Sequence, residues 1–212
     1  MHEILPGILE KSWEDVEKRL NQVTSFAKKV HIDLIDESFA DSKNFFDPAP
    51  FAPYSNNTFF ELHMMVKDPI QYLDVWSKSG IRRFIGHIEQ MPDQAAFVAS
   101  AQELGEVGLA LDLETQVDEI KVSLEDLDTV LIMMCKAGAS GQSFQSRALD
   151  KIRALRQRND FLDLQVDGGI TDKTIKECFS AGATRFASTS YLFWQEEDPK
   201  VQYQKLLQVI ET

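Results

Sequence analysis

The chain is short of cysteine, of basic residues and of long apolar runs, and each shortage removes a class of function. Its two cysteines, Cys135 and Cys178, stand far apart and match no metal or redox spacing, so a reduced, cytoplasmic chain is expected. Only 22 Lys and Arg oppose 34 Asp and Glu, for a net charge of -12. A surface of that sign repels nucleic acid and anionic lipid, and no basic stripe offsets it. No apolar run reaches the roughly 18 residues of a membrane span, and no charged-then-apolar leader opens the chain. Neither nucleic acid nor membrane is an expected partner.

What is present is the composition of an ordinary globular protein, 43% hydrophobic and 26% charged over 212 residues. A single domain is expected, because (β/α) barrels of about 200 to 250 residues commonly form one unit. Eight apolar runs of strand length alternate with segments of helical period: Ile4 to Leu9, Val30 to Asp36, Phe59 to Val66, Arg83 to Ile88, Val107 to Leu113, Thr129 to Cys135, Leu162 to Val166 and Arg185 to Thr189. Several are apolar on both faces, as strands covered by helices should be.

Between the runs, "SWEDVEKRLNQVTSF" offers Ser12 as N-cap, Glu14 and Asp15 in the first turn, and Val16, Leu20 and Val23 at helical spacing. "DPIQYLDVWSKSG" has a cap-proline start at Asp68-Pro69 and a glycine stop at Gly80. Further helices are expected in "DQAAFVASAQELG", "QVDEIKVSLEDL", "QSRALDKIRALRQR", "TDKTIKECFSAG" and "DPKVQYQKLLQVIE". Ala40 to Asn57 breaks the pattern: Pro48, Pro50 and Pro53 argue for a loop or one short turn where the second crossover helix belongs. The expected fold is a single closed (β/α)8 TIM barrel over residues 1–212 with an irregular second crossover, and a doubly wound open sheet is the alternative.

In a barrel the functional residues sit at the C-terminal ends of the strands. Three ends carry candidates: "VHIDLID", "FELHMMV" and "LQVDGGI". His31 and Asp33 point to one side of their strand, and His63 and Asp167 could join them in the interior. Two imidazoles and two carboxylates form a mixed ligand set for Zn, Mn, Fe or Co. Singly, each has a plainer reading: a strand histidine is more often a hydrogen-bonded core residue, and a strand-end Asp a helix cap. The acidic stretches near Glu125 to Asp128 and Glu196 to Asp198 read as solvated surface.

Over nearly its whole length the chain resembles the ribulose-phosphate 3-epimerase family. The family's His-x-Asp-x-Met-Asp-Gly resembles His31 to Glu37, its His-Leu-Met resembles His63-Met64-Met65, and its Val-Asp-Gly-Gly-Ile is Val166 to Ile170. "GLALDLET" and "LIMMCKAGASGQSF" are similar to two further family motifs. The resemblance implies that His31, Asp33, His63 and Asp167 bind one divalent cation and that Asp33 and Asp167 are also the catalytic acid/base pair. Epimerising a carbon beside a ketone removes its proton from one face and returns one to the other, so two proton carriers must flank the substrate. A cation on the substrate's oxygens would stabilise the enediolate between the two steps.

The implied enzyme is an isomerase of carbohydrate metabolism, within the pentose phosphate pathway, that interconverts D-ribulose 5-phosphate and D-xylulose 5-phosphate or a related ketose phosphate. A homo-oligomer is implied too. Met65 and Met133 match family pocket methionines, whereas Met64 and Met134 read as core. Gly138, Gly141, Gln142, Gly168, Gly169 and Ser190 are the remaining expected substrate contacts. Gly168 and Gly169 would present N–H groups at the start of the seventh helix, or else merely form a tight turn.

The departures from the family gather around substrate recognition. Its Pro-Ser-Ile-Leu is Pro6-Gly7-Ile8-Leu9, which removes a hydroxyl. Its Gly-Ser on the last strand is Thr189-Ser190, its Asn-Pro-Gly-Phe-Gly-Gly loop is Lys136 to Gly141, and Glu37 replaces a Gly. Two other readings therefore stand beside the first: an epimerase for a different, even non-phosphorylated, ketose, and a silent barrel kept for binding or assembly. Decarboxylases and aldolases of the same lineage resemble Asp-x-Lys-x-x-Asp on the second strand. Asp33 fills that lysine's place and counts against them.

Overall fold

The computed structural model describes residues 2–41 and 43–211. Eight parallel strands close into a barrel in sequential order: β1 (Glu3–Ile8), β2 (Lys29–Ile35), β3 (Phe59–Met65), β4 (Ile81–His87), β5 (Glu106–Leu111), β6 (Thr129–Met133), β7 (Asp163–Asp167) and β8 (Arg185–Ser188). All eight expected runs are strands, and β8 closes on β1 with Pro6 opposite Ser188. The open-sheet alternative is thereby excluded.

Strand alternation divides the molecule into two cores. Side chains such as Val30, Ile32 and Leu34 of β2, Phe60, Leu62 and Met64 of β3, and Val130 and Ile132 of β6, with Met134 just after it, face outward into the main apolar layer under the helices. The opposite parity faces the lumen. There a small apolar cluster of Ile35, Met65, Ile85, Ala110, Leu131, Met133 and Cys135 lies among buried polar groups. The lumen-facing positions carry His31, Asp33, Glu61, His63, Arg83, His87 and Gln165, all buried. A closed barrel keeps water from these groups, so each must find its partner inside the protein.

The helices are α1 (Trp13–Val23), α2 (Leu73–Ser77), α3 (Gln94–Gln102), α4 (Leu149–Arg158), α5 (Ile175–Ala181), α6 (Ser190–Phe193) and α7 (Pro199–Glu211). Ser12 caps α1 as expected, its hydroxyl accepting from the Asp15 N–H at 3.2 Å, and Val16, Leu20 and Val23 are buried. α2 differs from its expected start. Asp68 adopts φ 48° and makes no N-terminal side-chain cap; Pro69–Tyr72 forms a 3-10 turn before α2 begins. The short α6 was not foreseen.

The second crossover is a loop with one 3-10 turn, Ala49–Tyr54. Its prolines remove the N–H donors an α-helix needs. In place of a helix face it inserts Phe51, which is buried and packs against Trp13, Phe60 and Trp76. Burying one such ring contributes about 1.5–3 kcal/mol, enough to seat a loop that lacks helical hydrogen bonds.

The fifth crossover corrects the sequence reading. "QVDEIKVSLEDL" forms no α-helix, only the turns Val117–Glu119 and Leu124–Asp126. Val117, Ile120 and Val122 are β-branched, which weakens a helix, and the Ser123 hydroxyl starts a separate turn by accepting from the Glu125 N–H.

Candidate active site

Strand register assembles the site. Asp33 of β2 lies opposite His63 of β3, and Met133 of β6 opposite Asp167 of β7. His31, Asp33, His63 and Asp167 each turn one ligand atom into a common space, all within 4.8 Å of one another. His63 Nδ1 is 2.9 Å from Asp33 Oδ1 and 3.7 Å from Asp167 Oδ2; His31 Nε2 is 3.2 Å from Asp33 Oδ1, 3.3 Å from His63 Nδ1 and 4.0 Å from Asp167 Oδ2. Ligands about 2.0–2.1 Å from one ion stand roughly 2.9–3.4 Å apart in octahedral or tetrahedral arrangements. The donor set needs little adjustment to fit that.

The hydrogen bonds behind the two histidines decide which nitrogen is free. His31 Nδ1 donates to Glu61 Oε1 at 2.5 Å, a carboxylate that can only accept, so in the neutral imidazole that a bound cation requires it is Nε2 that carries the lone pair facing the cluster. His87 Nδ1 donates to Glu89 Oε2 at 2.8 Å, which leaves His87 Nε2 to accept from His63 Nε2, also at 2.8 Å. His63 Nδ1 is then the unprotonated atom, and it too faces the cluster. Such partners orient metal-ligating imidazoles and raise their basicity. The four residues can hold a divalent cation.

Glu61 is fully buried and accepts from His31, from Gln165 and from Arg83 Nη1, the last at 2.5 Å. Arg83 Nε in turn donates to Glu106 at 2.8 Å. Burial would raise the Glu61 carboxyl, but His31 and Arg83 outweigh it and bring the group down to about 2. The sequence reading missed Glu61, Arg83, His87, Glu89 and Gln165. Parity offered a signal: Glu61, Arg83, His87 and Gln165 share the lumen-facing register of His31 and His63, so four polar residues on strands apolar at alternate positions pointed inward.

The two carboxylates of the cluster differ sharply. Burial acts to raise Asp33, but hydrogen bonds and charge from His31 and His63 hold it well below the usual carboxylate range. Asp167 is pushed up to about 7, first by burial and then by the Asp33 charge. His31 is lowered by burial, yet Asp33 and Glu61 more than reverse this and hold it well above its ordinary value. For His63, burial and the neighbouring His87 prevail over Asp33, and it falls to about 4.

Above the cluster opens a pocket lined by Asp33 and Asp167 and by Met65, Met133, Gly138, Gly141, Gln142, Gly168, Gly169 and Ser190. Every residue singled out from the sequence as a substrate contact thus borders one space, whereas Met64 and Met134 lie in the outer core. Cys135 also lines the pocket. Burial and the nearby carboxylates push its thiol to about 12, so it is a neutral wall.

Three details correct the sequence reading. The Gly168 N–H is engaged by Asp167 Oδ1 at 2.7 Å. The helix after β7 begins only at Ile175, so its dipole does not reach Gly168 or Gly169. The Gln142 amide group donates to Lys136 O at 2.6 Å and Ala139 O at 2.9 Å, which ties its own loop together. Asp36, whose purpose the sequence did not disclose, accepts from the Ser38 and Lys67 N–H groups at 2.8 Å and stitches the end of β2 to β3. Glu37 is exposed and lies off the pocket lining.

The sequence model of the ribulose-phosphate 3 epimerase family matches residues 3–193. Ribulose-phosphate 3-epimerase of Schizosaccharomyces pombe is 29% identical over 204 residues, covering 93% of this chain and 90% of that protein. The Chlamydia pneumoniae enzyme of the same name is 31% identical, covering 90% and 85%. Among solved structures, KGPDC from Streptococcus mutans superposes with a TM-score of 0.77 at 10% identity, over 100% of this chain and 98% of that one. The 3-hexulose-6-phosphate synthase of Salmonella typhimurium gives 0.71 at 12%, over 100% and 99%. At such low identity these two structures establish the barrel alone.

Proposed function

The chain belongs to the ribulose-phosphate 3-epimerase family, and from that premise we propose that Asp33 and Asp167 exchange protons with opposite faces of a ketose phosphate in the pocket they share. The enzyme is an isomerase, an epimerase of pentose phosphates; the substrate pair is D-ribulose 5-phosphate and D-xylulose 5-phosphate. The observation that carries the mechanism is geometric: two carboxyl groups, Asp33 on β2 and Asp167 on β7, line one pocket from separate strands. Proton transfer on two faces of one carbon needs two such carriers within reach of it.

Asp33, ionised, removes the proton from the carbon beside the ketone. Asp167 delivers a proton to the opposite face of the resulting enediolate. In the reverse direction the roles exchange, and exchange with solvent resets the pair. His31, Asp33, His63 and Asp167 would hold a divalent cation, which would supply stabilisation of the negative charge developing on the substrate's oxygens. Glu61 and His87 keep the two imidazoles oriented throughout. Lumen walls of Met65, Met133 and Ile35 exclude water and strengthen the electrostatics.

The pocket lining carries no lysine or arginine. A phosphate would be held by backbone N–H groups, and those of Gly141, Gly169 and Ser190 have no partner among the described residues. Metal content of the purified protein, measured together with conversion of D-ribulose 5-phosphate to D-xylulose 5-phosphate, tests this reading. One bound divalent ion and turnover are expected. Turnover of a ketose without phosphate in its place would overturn the substrate assignment, and no turnover of either would leave the barrel a binding protein.

A further inference from the structure

Two departures from the family turn out to be one. Gly7 of β1 lacks the hydroxyl the family carries there, and Thr189 adds a side chain where the family has glycine. A Cβ placed on Gly7 would stand 2.2 Å from Thr189 Oγ1 and 3.4 Å from its Cβ. The Thr189 hydroxyl therefore fills the space that a side chain at position 7 would occupy. Gly7 is not in the left-handed region, so its backbone does not demand glycine. The demand comes from Thr189.

Register explains the encounter. Pro6 pairs with Ser188 across the β1–β8 seam, which puts Gly7 beside Thr189, while on its other side Gly7 pairs with His31. The Thr189 side chain lines the same pocket as Asp33 and Asp167. Its hydroxyl makes no hydrogen bond to any described residue, and it is not among the buried orphaned polar atoms. A hydroxyl without a protein partner at the wall of a substrate pocket is a donor and acceptor free for a ligand.

We propose that Thr189 is a substrate-contacting, specificity-determining residue: its hydroxyl, reaching across the seam into the space above Gly7, hydrogen-bonds an oxygen of the ketose phosphate's carbon chain. The exchange moves one hydroxyl from β1 to the end of β8 and keeps it in nearly the same place. The proposal rests on the epimerase reading.

The test is a set of variants assayed for kcat, KM and melting temperature with the metal-loaded protein. Thr189→Val preserves volume and removes the hydroxyl; roughly a three- to tenfold loss of kcat/KM is expected, the worth of one neutral hydrogen bond, carried chiefly by KM with the melting temperature unmoved. Thr189→Ser should retain activity. Gly7→Ser alone, crowded by Thr189, should lose both activity and stability, and Gly7→Ser with Thr189→Gly should recover kcat/KM above either single change. An active wild type with unaltered Thr189→Val kinetics, or a double variant no better than the better of Gly7→Ser and Thr189→Gly alone, overturns the contact and leaves the epimerase assignment standing. A wild type that turns over no ketose overturns both.

Discussion

Replacing Glu61 by Gln removes one charge from the floor of the site and nothing else of comparable size. The carboxylate accepts from His31, Gln165 and Arg83 with no exposure to solvent. The amide oxygen of Gln can still accept from His31 and Gln165, but its NH2 group must face Arg83 Nη1, donor against donor. Breaking a buried ion pair by removing one partner costs about 3–5 kcal/mol. The lower end applies because Glu106 still neutralises Arg83, so the expected loss is about 3 kcal/mol. At roughly 2–4 °C per kcal/mol for a chain of this size, melting should fall by roughly 6–12 °C. Cation affinity should drop about 10–100-fold, because His31 loses the negative partner that raises its basicity. Thermal unfolding with and without added metal, and a direct metal titration, measure both effects. A variant that melts within about 2 °C of the parent and binds the cation equally well would refute the role assigned to Glu61.

Asp33→Asn and Asp167→Asn should each lower kcat by about 10²–10⁴-fold, the contribution of a positioned proton carrier, with the far-UV circular dichroism unchanged; undiminished turnover in either would remove it from the mechanism. The metal-free protein should lose stability as pH rises above about 6.5, whereas between about 4 and 6.5 His63, lowered to about 4, gains stability with rising pH and offsets the loss from Asp167. Asp167 has its folded value raised to about 7 and His31 has its own raised, so both contributions are complete below the unfolded values and vanish as pH passes the folded ones. Depressed Asp33 and Glu61 act only at more acid pH, because stability from such groups is lost as pH falls below about 4. Added cation, which requires these groups deprotonated, should raise the melting temperature far more at pH 8 than at pH 5, and an equal rise at both would contradict the ligand assignment. Ser12→Ala should cost about 1 kcal/mol through the lost cap of α1 and leave kinetics untouched.

The barrel was legible because strand-length apolar runs recur eight times at regular intervals and because helix signals such as Ser12 act locally. The fifth crossover was misread for a related reason: "QVDEIKVSLEDL" has helical spacing, but its β-branched residues and Ser123 favour separate turns, a competition that periodicity does not register. The four cluster residues stood out through their motifs. The groups that hold them did not, since Glu61, Arg83 and His87 belong to no motif and gain meaning only when the closed barrel brings β2, β3, β4 and β7 around one lumen. Gly7 and Thr189 show the same limit most plainly. They lie 182 positions apart in sequence and read as two separate losses until the β1–β8 seam sets them side by side.

The central claim is that two carboxylates on opposite faces of the substrate trade protons with solvent through a shared intermediate. Incubating the metal-loaded protein with D-ribulose 5-phosphate in D2O, and following the carbon-bound hydrogens by NMR, tests it directly. The account predicts D-xylulose 5-phosphate carrying solvent deuterium at the inverted carbon beside the ketone and at no other, with incorporation abolished in Asp33→Asn. Inversion without deuterium, or incorporation that survives the loss of Asp33, would contradict it.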